Sequence, residues 1–349
     1  MNNQDWESGE KMSDNSVRKE PFGLKIAFSI IDILVALGAV VIMIAAQFVA
    51  VITFMIFDAN PDVLDGSQSF LYVVIAIPAL LIYLRLVKPK DRPMFMNGKL
   101  NVVQIIFCCV IALGLMGIVT LYLVIAGFIA EQFTTVAGEL DKYSDAVDRY
   151  SAVTPAEIPA FDHILNFIAV CFLVPVTEEL TFRAGILHTL LKRFPPIVAI
   201  LVSGGIFGLL HGFSIQIGYA LIAGFFLGWV YYYTKSIKST ILIHVLFNLF
   251  GSGIYTLMES GLFGDLTEIG NTFNTYSMLV EFSFIIPSII CFLCLRAMYK
   301  DSIKINTLNA AASESSGEYD PDPVASFEPD KDAPSPFAPV KEETDNEQA

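Results

Sequence analysis

The sequence predicts an all-α polytopic membrane protein of about eight spans, and three observations carry that prediction. Of its 349 residues, 54% are hydrophobic and 16% charged, against about 25% charged in a typical soluble domain. Apolar runs near the ~20 residues needed to cross a bilayer recur along the chain. They fall at about 26–57, 69–88, 101–130, 161–180, 197–213, 217–234, 239–257 and 277–298. The basic residues then alternate between loops. Lys11, Arg18 and Lys19 precede the first run, and Lys88, Lys90, Arg92 and Lys99 separate the second from the third. Lys192 and Arg193 follow the fourth, Lys235 and Lys238 the sixth, and Arg296, Lys300 and Lys304 mark the end of the eighth. The opposite loops 58–68 and 258–276 contain no Lys or Arg. Positive charge collects on the cytoplasmic side, so both termini are expected there, most simply in a bacterial plasma membrane.

Three parts follow in chain order: a polar cytoplasmic N-terminus (1–22), a transmembrane domain (23–300) and a disordered acidic tail (301–349). The net charge of −14 comes largely from that tail, whose low apolar content and many prolines cannot build a core. The N-terminus lacks the compact basic and apolar pattern of a cleaved signal peptide. The first and third apolar runs exceed one span and are expected to tilt. Pro78, Pro175 and Pro287 lie within runs and each removes an amide donor, which predicts kinks. The stretch VAGELDKYSDAVDRY, in loop 131–160, predicts an amphipathic helix. All five cysteines sit in apolar segments without histidines at metal-ligand spacing, and read as small buried hydrophobes. No basic stripe or phosphate-binding glycine loop points to nucleic acid or nucleotide. No internal repeat of the transporter kind is visible.

Ionisable residues at membrane depth are costly and mark functional sites by default. Three clusters qualify. In Glu178-Glu179-Leu180-Thr181-Phe182-Arg183, the i,i+4 spacing puts Glu179 and Arg183 on one helix face, where an internal ion pair offsets part of their burial cost. Glu178 lies about 100° around the helix, free for other work. Phe207-Gly208-Leu209-Leu210-His211 ends a glycine-rich run, and small residues let helices approach closely. His244-Val245-Leu246-Phe247-Asn248 sets two polar side chains on one face. If the fourth and fifth runs form a hairpin turning at Phe194-Pro195-Pro196, Glu178 and His211 lie about 25 Å from the turn and sit level. His244, six residues beyond Lys238, does not reach that depth by the same arithmetic without a tilted or re-entrant helix. His188 reads as interfacial, and His163 has no assigned role.

EExxxR, FxxxH and HxxxN, in this order on successive apolar segments, resemble the CPBP family, the CAAX-processing and bacteriocin-processing (Abi) intramembrane proteases. The likeness covers about residues 160–255. It implies an eight-span helical fold like that of the prenyl-CAAX endopeptidase, with a glutamate-type mechanism. Glu178 would activate water with help from His211, His244 and Asn248 would hold the oxyanion, and Glu179 and Arg183 would position the site. Buried carboxylates suit such base chemistry. The expected partners are the lipid bilayer and a hydrophobic or membrane-anchored peptide. No cofactor is expected. The rival is a metalloprotease, with Glu178, His211 and His244 ligating zinc and a fourth position open, although HExxH is absent. Two other readings compete with catalysis: a non-catalytic protein of bacteriocin self-immunity or membrane-sensor modulation, and a transporter.

Overall fold

The computed structural model describes residues 22–61, 63–88, 93–142, 157–212 and 214–316. The predicted N-terminal segment up to residue 21, Lys90, Arg92, residues 143–156 and the tail beyond 316 lie outside the described residues. Among the described residues, eight helical rods follow one another. These are α1 (Phe22–Ile56), α2 (Asp65–Val87), α3 (Val102–Ala130), α4 (Ala160–Leu190), α5 (Pro196–Leu209), α6 (Ser214–Thr234), α7 (Ile237–Glu259) and α8 (Thr267–Ser316). A shorter helix over 134–142 covers the first part of the predicted amphipathic stretch. Among the described residues, β pairing is limited to isolated bridges such as Asn97 with Ser236. Apolar side chains of α1, including Leu34, Val41, Phe48 and Ile52, face outward, as lipid contact requires. The protein is an all-α polytopic membrane protein.

Seven of the rods are long and apolar enough to span a bilayer. The exception corrects the expected fifth span. α5 has 14 residues, or about 21 Å, short of a ~30 Å hydrocarbon core. Its apolar run continues, but Gly212 adopts φ +85°, the left-handed conformation that ends helices and that glycine enters without steric cost. The chain therefore turns at His211 and returns as α6. The two arms pack closely. A Cβ on Gly208 would collide with Leu221, and one on Gly204 with the Phe225 ring.

α4 is not a uniform α-helix. Residues Ala169–Leu173 and Leu180–Leu187 are π-helical, a form concentrated at functional sites. The first precedes Pro175, which has no N–H to give the preceding turn. Within α7, Leu249–Gly253 is π-helical as well. Pro78 lies inside α2 and Pro287 inside α8. α8 continues past residue 300 to Ser316.

One long-range clamp sets the start of α4. The buried Asp162 carboxylate accepts the backbone N–H of Gly66 at 2.8 Å and that of Ser67 at 2.7 Å, together with the Ser67 hydroxyl. These amides open α2 and have no partner within their own helix. Asp162 thus caps α2 from another helix, and Gly66 leaves the room for that approach, since a Cβ there would strike the Asp162 backbone.

Candidate active site

Two faces of α4 diverge at the paired glutamates. Glu179 is 0% exposed, and Arg183 1%. Arg183 Nη1 donates to Glu179 Oε1 at 2.9 Å, as the i,i+4 spacing predicts. The same guanidinium donates to the Gly224 carbonyl of α6 at 3.3 Å and lies 5.0 Å from the Phe207 ring centre of α5. One arginine therefore ties α4, α5 and α6. A charge removed from water to this degree is tolerable only when paired and hydrogen-bonded.

His244 joins the same oxygen from α7. Its Nδ1 lies 2.9 Å from Glu179 Oε1, and its Nε2 lies 3.5 Å from Glu178 Oε2. The imidazole stands between both carboxylates. Glu178, 20% exposed, opens onto a cavity of about 230 Å³. His211, His244, Asn248, Gln216 and Tyr219 line that cavity too, together with apolar Leu115, Val174, Ala223 and Phe247. All three sequence clusters meet at this cavity. Glu178, His211, His244 and Asn248 form its polar wall, while Glu179 and Arg183 lie behind it.

The depth of His244 has a physical reason that the sequence arithmetic lacked. The α6–α7 turn is largely covered, with Lys235 half-buried and Lys238 exposed. Ser236, Ile237, Ser239 and Thr240 are buried, and loop 93–101 folds over them. Gly98 N–H donates to the Lys235 carbonyl at 2.9 Å, Ser236 Oγ to the Gly98 carbonyl at 2.8 Å, and Ile237 N–H to the Met96 carbonyl at 2.8 Å. The Lys235 ammonium sits 4.2 Å from the Tyr232 ring centre and 5.0 Å from that of Tyr299, and burial pushes its pKa down to about 8. α7 starts inside the protein, so two turns suffice to bring His244 to the glutamates. His188 is also buried rather than interfacial, with Nδ1 3.4 Å from the Tyr231 hydroxyl.

Two local bonds define what the remaining polar groups can offer. His211 Nδ1 lies 2.8 Å from the Phe207 carbonyl. A carbonyl only accepts, so Nδ1 carries hydrogen, and in a neutral ring Nε2 is the acceptor. Asn248 Nδ2 donates to the Val170 carbonyl at 2.9 Å, which uses one of its two N–H groups. Phe207 packs edge-on against His211 and Phe182, with ring centres 4.6 and 4.9 Å apart, and so holds the imidazole against the α4–α5 interface.

Of the rival zinc triad, His244 Nε2 lies 3.5 Å from Glu178 Oε2, and His211 lines the same cavity. Among the described residues, no group of three or more His, Cys, Asp and Glu side chains is placed to hold a metal ion. Sequence reasoning missed Gln216 and Tyr219, which complete the wall. The usable signal was polarity at one-turn spacing in an otherwise apolar helix just after His211.

Comparison with known proteins agrees with the motifs. The family model "Type II CAAX prenyl endopeptidase Rce1-like" matches residues 160–250. UPF0177 protein YxdF of Lactococcus lactis is 34% identical over 89 residues, covering 25% of this chain and 49% of that protein. The chain thus spans about half the length of that relative. The protein named "Putative membrane peptidase YdiL" of Bacillus subtilis is 26% identical over 186 residues, 53% of this chain and 70% of that one. No solved structure matches. The segment that builds the cavity wall, residues 160–250, is thus the part of the chain that resembles the type II CAAX prenyl endopeptidases of the CPBP family.

Proposed function

We propose that this protein is a membrane-embedded endopeptidase of the glutamate type, acting on a peptide bond of a hydrophobic or membrane-anchored substrate. The observation that carries the reading is the convergence of Glu178, His211, His244 and Asn248, from two helices and a turn, on one partly apolar cavity. The family likeness supports peptide hydrolysis, as does the name of the Bacillus subtilis relative.

Glu178 and the free Nε2 of His211 are the two acceptors that can draw a proton from water. Glu178 takes that proton while the water oxygen attacks the carbonyl carbon, giving a tetrahedral oxyanion. His244, with Nδ1 against Glu179 and Nε2 beside Glu178 on the cavity side, is placed to hold that oxyanion. The second N–H of Asn248 is the other donor. Donors fixed before the charge develops are each worth roughly 2.7–4 kcal/mol in such reactions. The C–N bond then breaks, and the proton held by Glu178 passes to the leaving amine. Glu179 and Arg183 contact no substrate in this scheme and position His244. No metal takes part. The loops rich in Lys and Arg face the cytoplasm, together with both termini, and the bilayer is the plasma membrane.

Cleavage of a panel of hydrophobic peptides by the purified protein in liposomes tests the reading. Wild type is expected to cleave with a strong chelator present, and Glu178→Gln and His211→Ala to lose cleavage. Loss with chelator and recovery with zinc would contradict the metal-free scheme. A phenotype retained in Glu178→Gln cells, with no cleavage by any variant, would favour the non-catalytic reading.

A further inference from the structure

Beside the catalytic cavity lies a second, smaller one of about 40 Å³, between the first half of α4 and the second half of α7. Its polar lining comes from His163, Asn166, Ser252, Thr256 and Ser260. Val170 and Ser252 line both cavities. The smaller space runs from the start of α4 and the end of α7 inward to that shared wall. His163 to Val170, and Ser260 to Ser252, each span roughly 10–12 Å at 1.5 Å per residue.

Ser260 Oγ donates to the Leu257 carbonyl at 2.7 Å, but not every polar group here has such a bond. Asn166 Oδ1 is buried without a hydrogen bond. Most hydroxyls in this protein's spans bond back to their own helix, as Thr177 does to the Leu173 carbonyl, Thr181 to that of Thr177, and Ser288 to that of Ile285. Ser252 lies in the π-helical segment Leu249–Gly253, where the ordinary carbonyl register is displaced. Both Ser252 and Thr256 are exposed. Lipid cannot satisfy such groups, whereas water can, and a water needs only about 10–15 Å³ of such space. The cleft therefore has room for about three.

We propose that this cleft is a hydration site that delivers water to the catalytic cavity from the membrane face bearing residues 258–266, the face opposite the Lys- and Arg-rich loops. The delivery role rests on the peptidase reading, and the hydration itself does not. Peptide hydrolysis consumes one water per turnover, and a peptide seated in the main cavity covers that cavity's own mouth. Water reaching Glu178 past Val170 and Ser252 arrives behind the substrate.

Two measurements separate these claims. In proteoliposomes of known orientation, Ser252→Cys and Thr256→Cys are exposed to a charged, membrane-impermeant thiosulfonate reagent from one face at a time. Labelled peptides are then identified by mass spectrometry. Both are expected to react from the 258–266 face, while Leu201→Cys, outward on α5, stays unlabelled. Absence of labelling at Ser252→Cys from that face, or labelling only from the other, overturns the hydrated cleft whether or not the protein cleaves peptides. For delivery, Asn166→Leu and Ser252→Leu are expected to lower kcat by about tenfold with KM unchanged. Unchanged kcat in both Leu variants, with labelling intact, overturns delivery alone.

Discussion

Glu178 and Glu179 are adjacent in sequence and belong to different regions of the molecule. Glu179 lies in a closed knot with Arg183, His244 and the Gly224 carbonyl. Glu178 lies on a cavity wall with His211 and Asn248. The knot pairs charges that a membrane interior would otherwise penalise, although Glu179 Oε2 and Arg183 Nε have no hydrogen bond, and with the Phe207 ring it joins four helices. The wall leaves polar groups with free valences facing open space. His244 belongs to both and is the link by which the knot aims the wall. One helix can therefore place a structural carboxylate and a reactive one side by side, because a 100° step around its axis separates packing from cavity.

The contrast can be broken most severely at Arg183. Arg183→Ala leaves the Glu179 carboxylate buried without its cation, at a cost of about 3–5 kcal/mol. The expected result is a large fall in melting temperature and in the yield of folded protein. A melting temperature near wild type would mean that the knot is not structural.

His211→Ala sharpens the comparison from the other side. General acid–base groups contribute about 10²–10⁴-fold, so kcat is expected to fall within that range with little loss of stability. A fall in stability comparable to that of Arg183→Ala would place His211 in the knot instead.

Asn248→Leu sits between the regions. It removes the bond to the Val170 carbonyl, worth about 1 kcal/mol, and one proposed oxyanion donor. A modest drop in melting temperature is expected alongside a kcat decrease of roughly a hundredfold or more. Unchanged kcat would remove Asn248 from the oxyanion site.

The smallest effect lies at the turn that sets the depth of α7. The Lys235 pKa of about 8 is below the unfolded value of about 10.4. Between the two, the unfolded chain binds more protons, so stability rises with pH over that window. Lys235→Met is expected to flatten the rise in a melting series from pH 7.5 to 10, and equal slopes in both proteins would contradict the buried ammonium.

What the sequence revealed was whatever is decided within one helix. The Glu179–Arg183 pair, the shared face of His244 and Asn248, and the separate orientation of Glu178 follow from i,i+4 spacing alone. The helical class follows from apolar runs and alternating loop charge. What it concealed depends on distant chain. The depth of His244 is set by loop 93–101, far from it in sequence. The Asp162 cap joins residues 96 positions apart, and an acidic residue at a span's start looks interfacial until its partners are known. α5 stops short because of one backbone torsion at Gly212, which hydropathy does not register. The second N–H of Asn248 is spoken for or free only once the Val170 carbonyl is in view.

The central claim is that two neighbouring carboxylates do different work, and a paired measurement tests it most directly. Glu178→Gln and Glu179→Gln are purified side by side, and thermal unfolding and peptide cleavage are recorded for each. Glu178→Gln is expected to melt with wild type and to cleave nothing, whereas Glu179→Gln is expected to melt well below both. Retained cleavage in Glu178→Gln, or equal melting of the two variants, would contradict the account.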